Sequence, residues 1–283
     1  MLITLLGTGT PILDLSRHGP AVSIAIDDDL LLFDAGRGVV TQLMRTGISP
    51  QSVNPIFITH HHADHIEDLG NLIISAWHSG REESLLIFGP KGTTEIVAAL
   101  LNLIFDREIE FRLTLERALR SEVVDIRDIV KVTDVEPGLV FNGRTWKVLA
   151  EYVEHGHGLG LSQNDWPCLG YRVESQKKSV ALSGDAIACD GLSRLAQGAD
   201  VLIQCCYLAK AEITNNDSKL LSNVVIASSI EAGKIAARAG VKKLVLTHFR
   251  KKSEDMMRFL EADIRKNYDG DLCLGKDLMT IEF

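Results

Sequence analysis

Short apolar runs, broken by turn residues, set the pattern of the first third of the chain. Leu2–Leu6, Ala21–Ile26 and Leu30–Phe33 predict strands, with Asp27-Asp28-Asp29 as a hairpin turn. Further strands are predicted at Ile56–Thr59, Leu85–Phe88, Thr145–Val153, Leu169–Glu174, Ser179–Ser183, Val201–Cys205 and Val241–Thr247, with a short one near Leu278–Phe283. Helical spacing marks Gly38–Thr46 (closed by Gly47), Asp68–His78, Thr93–Phe105, Ser228–Ala239 and 254–266. Residues 106–136 are charged and less regular, and predict one or two helices with a strand. Strands mixed with helices over the whole length predict an α/β fold with two sheet halves.

Composition narrows the function more than the fold. With 283 residues, 46% of them hydrophobic, the chain can bury a large core. Its formal net charge of -8 gives no bulk attraction for nucleic acid. The start, MLITLLGTGTP, lacks the basic region of a signal peptide, and no apolar run approaches a membrane span. Five cysteines without a CxxC pair predict free thiols in a reducing cytoplasm.

Polar residues then collect where the predicted strands end. His60, His62, Asp64 and His65 follow the run Ile56-Phe57-Ile58; His155, Asp185 and His248 each follow another apolar run. In α/β sheets, loops converge beyond strand ends, so residues far apart in sequence can share one cleft there. Burying that many imidazoles and carboxylates needs an offset, and direct coordination of a divalent metal supplies it. His60 and His62, two apart in an extended turn, point the same way, while Asp64-His65 begins a tighter turn toward a second position. One segment can thus feed two metal positions. His61 points away and reads as non-ligating. Gly7 and Gly9 lack the Lys-Ser/Thr of a phosphate loop and read as sites of close backbone approach.

The motif HHHADH, with GTGTP at the start, LLLFDAGRG, LSGDA and LVLTHF in order, resembles the metallo-β-lactamase superfamily, and most of all the branch holding ribonuclease Z and the arylsulfatase-like hydrolases. The resemblance implies a four-layer αββα sandwich, a single domain over 1–283 with a helical insertion around 101–140. It implies two zinc ions (manganese or iron in some members) and a water or hydroxide between them that attacks an ester-type centre. His60, His62 and a histidine after strand 145–153 would hold the first ion; His155 fits that register better than His157. Asp64, His65 and His248 would hold the second, and Asp185 would bridge both. Asp64 would also accept the water's proton, and Asp34 would orient a ligand histidine. His157, Trp166 and His18 are candidates for the substrate pocket, together with Trp77 and His78.

Two positions depart from the ribonuclease Z pattern. Cys205 and Ile226 stand where that branch carries a glutamate and a histidine associated with protonating the leaving group. The glycine/proline-rich arm that grips tRNA is not visible either. The resulting expectation is a dinuclear zinc hydrolase of a small ester: aryl sulfate, phosphodiester or lactone. The alternatives are a tRNA 3′-processing endoribonuclease and a metal-binding protein without hydrolysis. A small-molecule ester is the expected partner, with nucleic acid and membrane disfavoured; apolar helix faces permit a homodimer.

Overall fold

Strand pairing divides the chain into two halves. The computed structural model describes residues 1–119, 122–176 and 178–283; Arg120, which ends the predicted helical run IEFRLTLERALR, lies outside the described residues with Ser121 and Lys177. The strands are β1 (Leu2–Gly7), β2 (Ala21–Ile26), β3 (Asp29–Phe33), β4 (Ile56–Phe57), β5 (Leu85–Gly89), β6 (Val130–Asp134) and β7 (Gly138–Asn142). They continue with β8 (Trp146–Tyr152), β9 (Leu169–Ser175), β10 (Lys178–Leu182), β11 (Val201–Cys205), β12 (Lys243–Thr247), β13 (Asp271–Leu274) and β14 (Met279–Glu282). One sheet runs β14-β1-β2-β3-β4-β5-β6 and the other β13-β12-β11-β10-β9-β8-β7.

Three apolar layers explain the stacking. Ile3, Leu5, Phe33, Phe57, Tyr171 and Val245 pack between the two sheets. The Phe33 and Phe57 rings stack at 5.0 Å, and the Tyr171 hydroxyl donates to the Ile58 carbonyl at 2.7 Å. Helices Val39–Arg45 and Leu69–His78 cover the outer face of the first sheet through Leu43, Leu72, Ile73 and Trp77. Helices Asp190–Ala196, Ser229–Arg238 and Glu254–Arg265 cover the second through Leu192, Leu195, Ala236, Leu260 and Ile264. This is the expected helix–sheet–sheet–helix sandwich.

Some elements differ from the pattern-based expectation. β4 stops at Phe57, because the Thr59 amide donates to the Asp34 carboxylate instead of a neighbouring strand. In region 101–140 the helices Asp106–Leu119 and Ile126–Ile129 precede Val130–Asp134, which pairs with β5, and Gly138–Asn142, which pairs with β8, so the insertion is helical only in part, while 106–136 holds the expected helices and strand. β7 and β13 are half-exposed edge strands with too little apolar alternation to stand out. Helix Asp190–Ala196 and the helical segment 216–225 were likewise not marked by the pattern.

Candidate metal centre

Six loops deliver the site, each at the carboxyl end of a strand. Asp34 follows β3, His60 to His65 follow β4, His155 follows β8, Asp185 follows β10, Tyr207 follows β11 and His248 follows β12. The turns are tight. Asp34 and His248 take positive φ values of 60° and 62°, uncommon for residues with a side chain. Gly36 is required by contact: a Cβ there would lie 2.3 Å from the Asp64 carbonyl oxygen. Gly7 would likewise meet the Gly19 carbonyl at 1.8 Å, which accounts for it as close backbone approach.

Two sets of donor atoms result: His60, His62, His155 and Asp185 in one, and Asp64, His65 and His248 in the other, with the atoms of each set within 4.8 Å of one another. His60 Nε2 lies 3.0 Å from His62 Nδ1, and His155 Nε2 lies 3.1 Å from the same atom. His248 Nε2 lies 3.2 Å from both Asp64 Oδ2 and Asp185 Oδ2, while Asp185 Oδ1 is 3.4 Å from His65 Nε2. Asp185 therefore touches both sets. His62 is exposed; the other six are buried.

Hydrogen bonds from behind fix which ring nitrogen faces inward. His65 Nδ1–H donates to Asp34 Oδ2 at 2.7 Å. The Thr59 hydroxyl donates to that same oxygen at 2.9 Å and accepts from His60 Nδ1–H at 2.9 Å. His155 Nδ1–H donates to the Val225 carbonyl at 2.5 Å. One carboxylate, Asp34, thus orients a histidine in each set. The inward atoms His65 Nε2 and Asp185 Oδ1 are buried without a hydrogen-bond partner, a costly condition that a cation relieves. Imidazole and carboxylate donors in this number suit a divalent metal.

Electrostatics agree. Burial holds His60 well below the usual imidazole range and lowers His155, and burial with the neighbouring His155 brings His62 down to about 4. These rings are neutral near pH 7, as ligation requires. Burial would also lower His65, but Asp185 and Asp34 outweigh it and raise this histidine well above its ordinary value. Burial would raise Asp185, yet His248 and His65 hold it well below the carboxylate range.

A beta-lactamase superfamily domain model matches residues 30–249. Ribonuclease Z of Mycolicibacterium paratuberculosis is 33% identical over 99% of this chain and 97% of its own length. The chain belongs to the metallo-β-lactamase superfamily. Within this superfamily it falls in the ribonuclease Z branch, where the Mycobacterium avium enzyme of that name is 32% identical over the same shares. The fold is shared with the human short-form tRNase Z (TM-score 0.70, 23% identity, 100% and 99% covered) and with the metallo-beta-lactamase fold protein YhfI of Bacillus subtilis (TM-score 0.74, 18% identity, 99% and 98% covered). As a superfamily member the chain is a metal-dependent hydrolase acting on ester bonds, and it binds divalent metal.

Several pocket candidates sit elsewhere. His157 spends both ring nitrogens on its own loop: Nδ1 accepts from the His155 amide at 3.0 Å and Nε2–H donates to the Trp166 carbonyl at 3.0 Å. His18 turns to Asp277, 2.9 Å away, outside the cleft. Trp77 is buried under the first sheet's helices and His78 faces Glu108. Trp166 does reach the centre, its ring 4.8 Å from that of His62. His61 bonds Thr93 at 2.9 Å, away from the donors.

Sequence reasoning missed the rest of the cleft. Pro11, Tyr207, Leu221, Val225 and Ile226 line it opposite the donor atoms. Cys205 lies beneath, buried, with its sulfur 3.8 Å from the Thr247 hydroxyl. Only the register that places Ile226 where relatives carry a histidine hinted at this wall. Among the described residues, no helix is long and apolar enough to cross a membrane.

Proposed function

We propose that this chain is a dinuclear zinc phosphodiesterase of the ribonuclease Z type, cleaving the 3′ extension of a tRNA. The carrying observation is the pair of donor sets sharing Asp185, on a chain aligned end to end with proteins named ribonuclease Z. Those relatives weigh against the expectation that nucleic acid is disfavoured as a partner. His60, His62 and His155 would hold one ion and Asp64, His65 and His248 the other, with Asp185 within reach of both sets. Bound there, the ions would act as Lewis acids and lower the pKa of water. Asp64, whose Oδ2 lies 3.2 Å from His248 Nε2, would take the proton of the attacking water. Asp34 and Thr59 hold the imidazoles in the required tautomers.

Residues 1–283 work together as one domain on this proposal. A homodimer belongs to it as well, through the exposed Phe111, Leu115 and Leu119 of helix Asp106–Leu119.

One observation favours a second reading. With Ile226 in the apolar wall and Cys205 buried beneath at the two departing positions, the described residues lining the cleft offer a leaving group no histidine or carboxylate acid besides the donors themselves. That suits an ester with a stable leaving group, such as an aryl phosphodiester. The test incubates zinc-loaded protein and Asp64→Ala with a precursor tRNA bearing a 3′ trailer, and separately with bis(4-nitrophenyl) phosphate. Single-site RNA cleavage, lost in Asp64→Ala, supports the first reading. Diester hydrolysis without RNA cleavage supports the second, and neither activity refutes both.

A further inference from the structure

The apolar wall of the cleft is held in place from both sides. The Gly156 amide donates to the Val224 carbonyl at 2.8 Å, His155 Nδ1–H to the Val225 carbonyl at 2.5 Å, and the Ala227 amide to the Ala186 carbonyl at 3.0 Å. Segment 224–227 is therefore tied to the neighbours of two donor residues, His155 and Asp185. It cannot retreat without pulling on the metal centre. Across the cleft, the Tyr207 carbonyl accepts from the buried Lys252 ammonium at 2.9 Å, and the Arg250 guanidinium lies 5.4 Å from the Tyr207 ring centre. Glu212 in turn accepts from Arg250 at 2.7 Å.

Fixed walls make volume a selector. About 170 Å³ of space lies between these walls and the donor atoms, open to solvent on one side. An aliphatic cavity of ~150 Å³ takes one benzene. A second fused ring turned inward would have to push a pinned wall, which close-packed interiors resist.

Resting on the proposed phosphoryl-ester reading, we propose that the cleft is a ring-size filter: the substrate's phosphoryl group faces the donor atoms while one unfused six-membered ring lies against Tyr207, Val225 and Ile226, and fused bicycles are refused. That ring comes from an aryl ester or from a pyrimidine nucleotide.

Calorimetric titration of the zinc-loaded protein with methyl-, phenyl- and 1-naphthylphosphonate tests the filter, with uridine and guanosine 3′-monophosphates as further arms. Phenylphosphonate should bind at least about tenfold tighter than methylphosphonate, from burial of the ring. Naphthylphosphonate should bind about tenfold more weakly than phenylphosphonate, the cost of overpacking. Ile226→Ala should close the gap between naphthyl and phenyl. Leu221→Phe, at the partly exposed mouth, should weaken phenylphosphonate more than methylphosphonate, so the claim stays testable if the first variant does not fold. Uridine bound with guanosine refused assigns the ring to RNA; phenyl bound with both nucleotides refused assigns it to an aryl ester. Naphthyl at least as tight as phenyl, guanosine as tight as uridine, or no gain from methyl to phenyl overturns the inference. If no phosphonate binds and no phosphodiester is cleaved, the phosphoryl-ester reading fails and the inference with it; cleavage without ring preference sinks the inference alone.

Discussion

Asp34 serves both donor sets without belonging to either. Its Oδ2 receives both the His65 imidazole and the Thr59 hydroxyl, and through Thr59 it reaches His60. Losing an orienting partner of a metal ligand weakens metal binding by roughly 10–100-fold. Asp34→Ala should therefore weaken both metal positions, and Thr59→Val mainly the one containing His60, as read by competition with a chromogenic chelator. Equal affinities in wild type and Asp34→Ala would contradict this. The donors themselves were legible because four of them lie within six consecutive positions, His60 to His65, where spacing alone signals metal. Thr59 and Tyr207 were not, since nothing local distinguishes a threonine or tyrosine whose partners, Asp34 for one and Arg250 and Lys252 for the other, lie tens of positions away.

At the scale of elements, the strands that place the centre are short and the turns after them are crowded. Gly36 sits where a side chain would strike the Asp64 carbonyl oxygen at 2.3 Å, and Gly19 would meet the same atom at 2.9 Å. Gly36→Ala should cost about 1–3 kcal/mol by overpacking and also displace Asp64. The checks are a lower melting temperature and a weakened second metal; a variant matching wild type in both would show that the turn is looser than described. Buried strands such as Ala21–Ile26 and Val201–Cys205 could be read from sequence to the residue, because both faces meet apolar layers. The edge strands Gly138–Asn142 and Asp271–Leu274 could not, since one side of each lacks a partner and tolerates polar residues. Helical segment 216–225 was hidden for another reason: its role is to wall a cleft, which leaves no continuous apolar stripe to find.

For the whole molecule, the centre is a polar cluster that the metal-free fold must bury. His60, His62 and His155 have depressed folded-state values, so the unfolded chain binds their protons more readily. Stability of the chelated protein should fall as the pH drops from about 6.5, the unfolded imidazole value, toward 4. His65 is raised, and its contribution is already fully present below the unfolded value, so it does not reverse the trend. Thermal melts of chelated protein across that window check the sign; a flat or rising profile would contradict it. Both donor sets, drawn from loops after four different strands, depend on the sandwich being assembled. The most direct test of the central claim is metal content by plasma mass spectrometry after chelation and reconstitution with zinc, for wild type and Asp185→Ala. Two zinc ions per wild-type chain, fewer in the variant, with phosphodiester cleavage following the metal in and out, are predicted. Full cleavage by chelated, metal-free protein, or two ions held as tightly without Asp185, would contradict it.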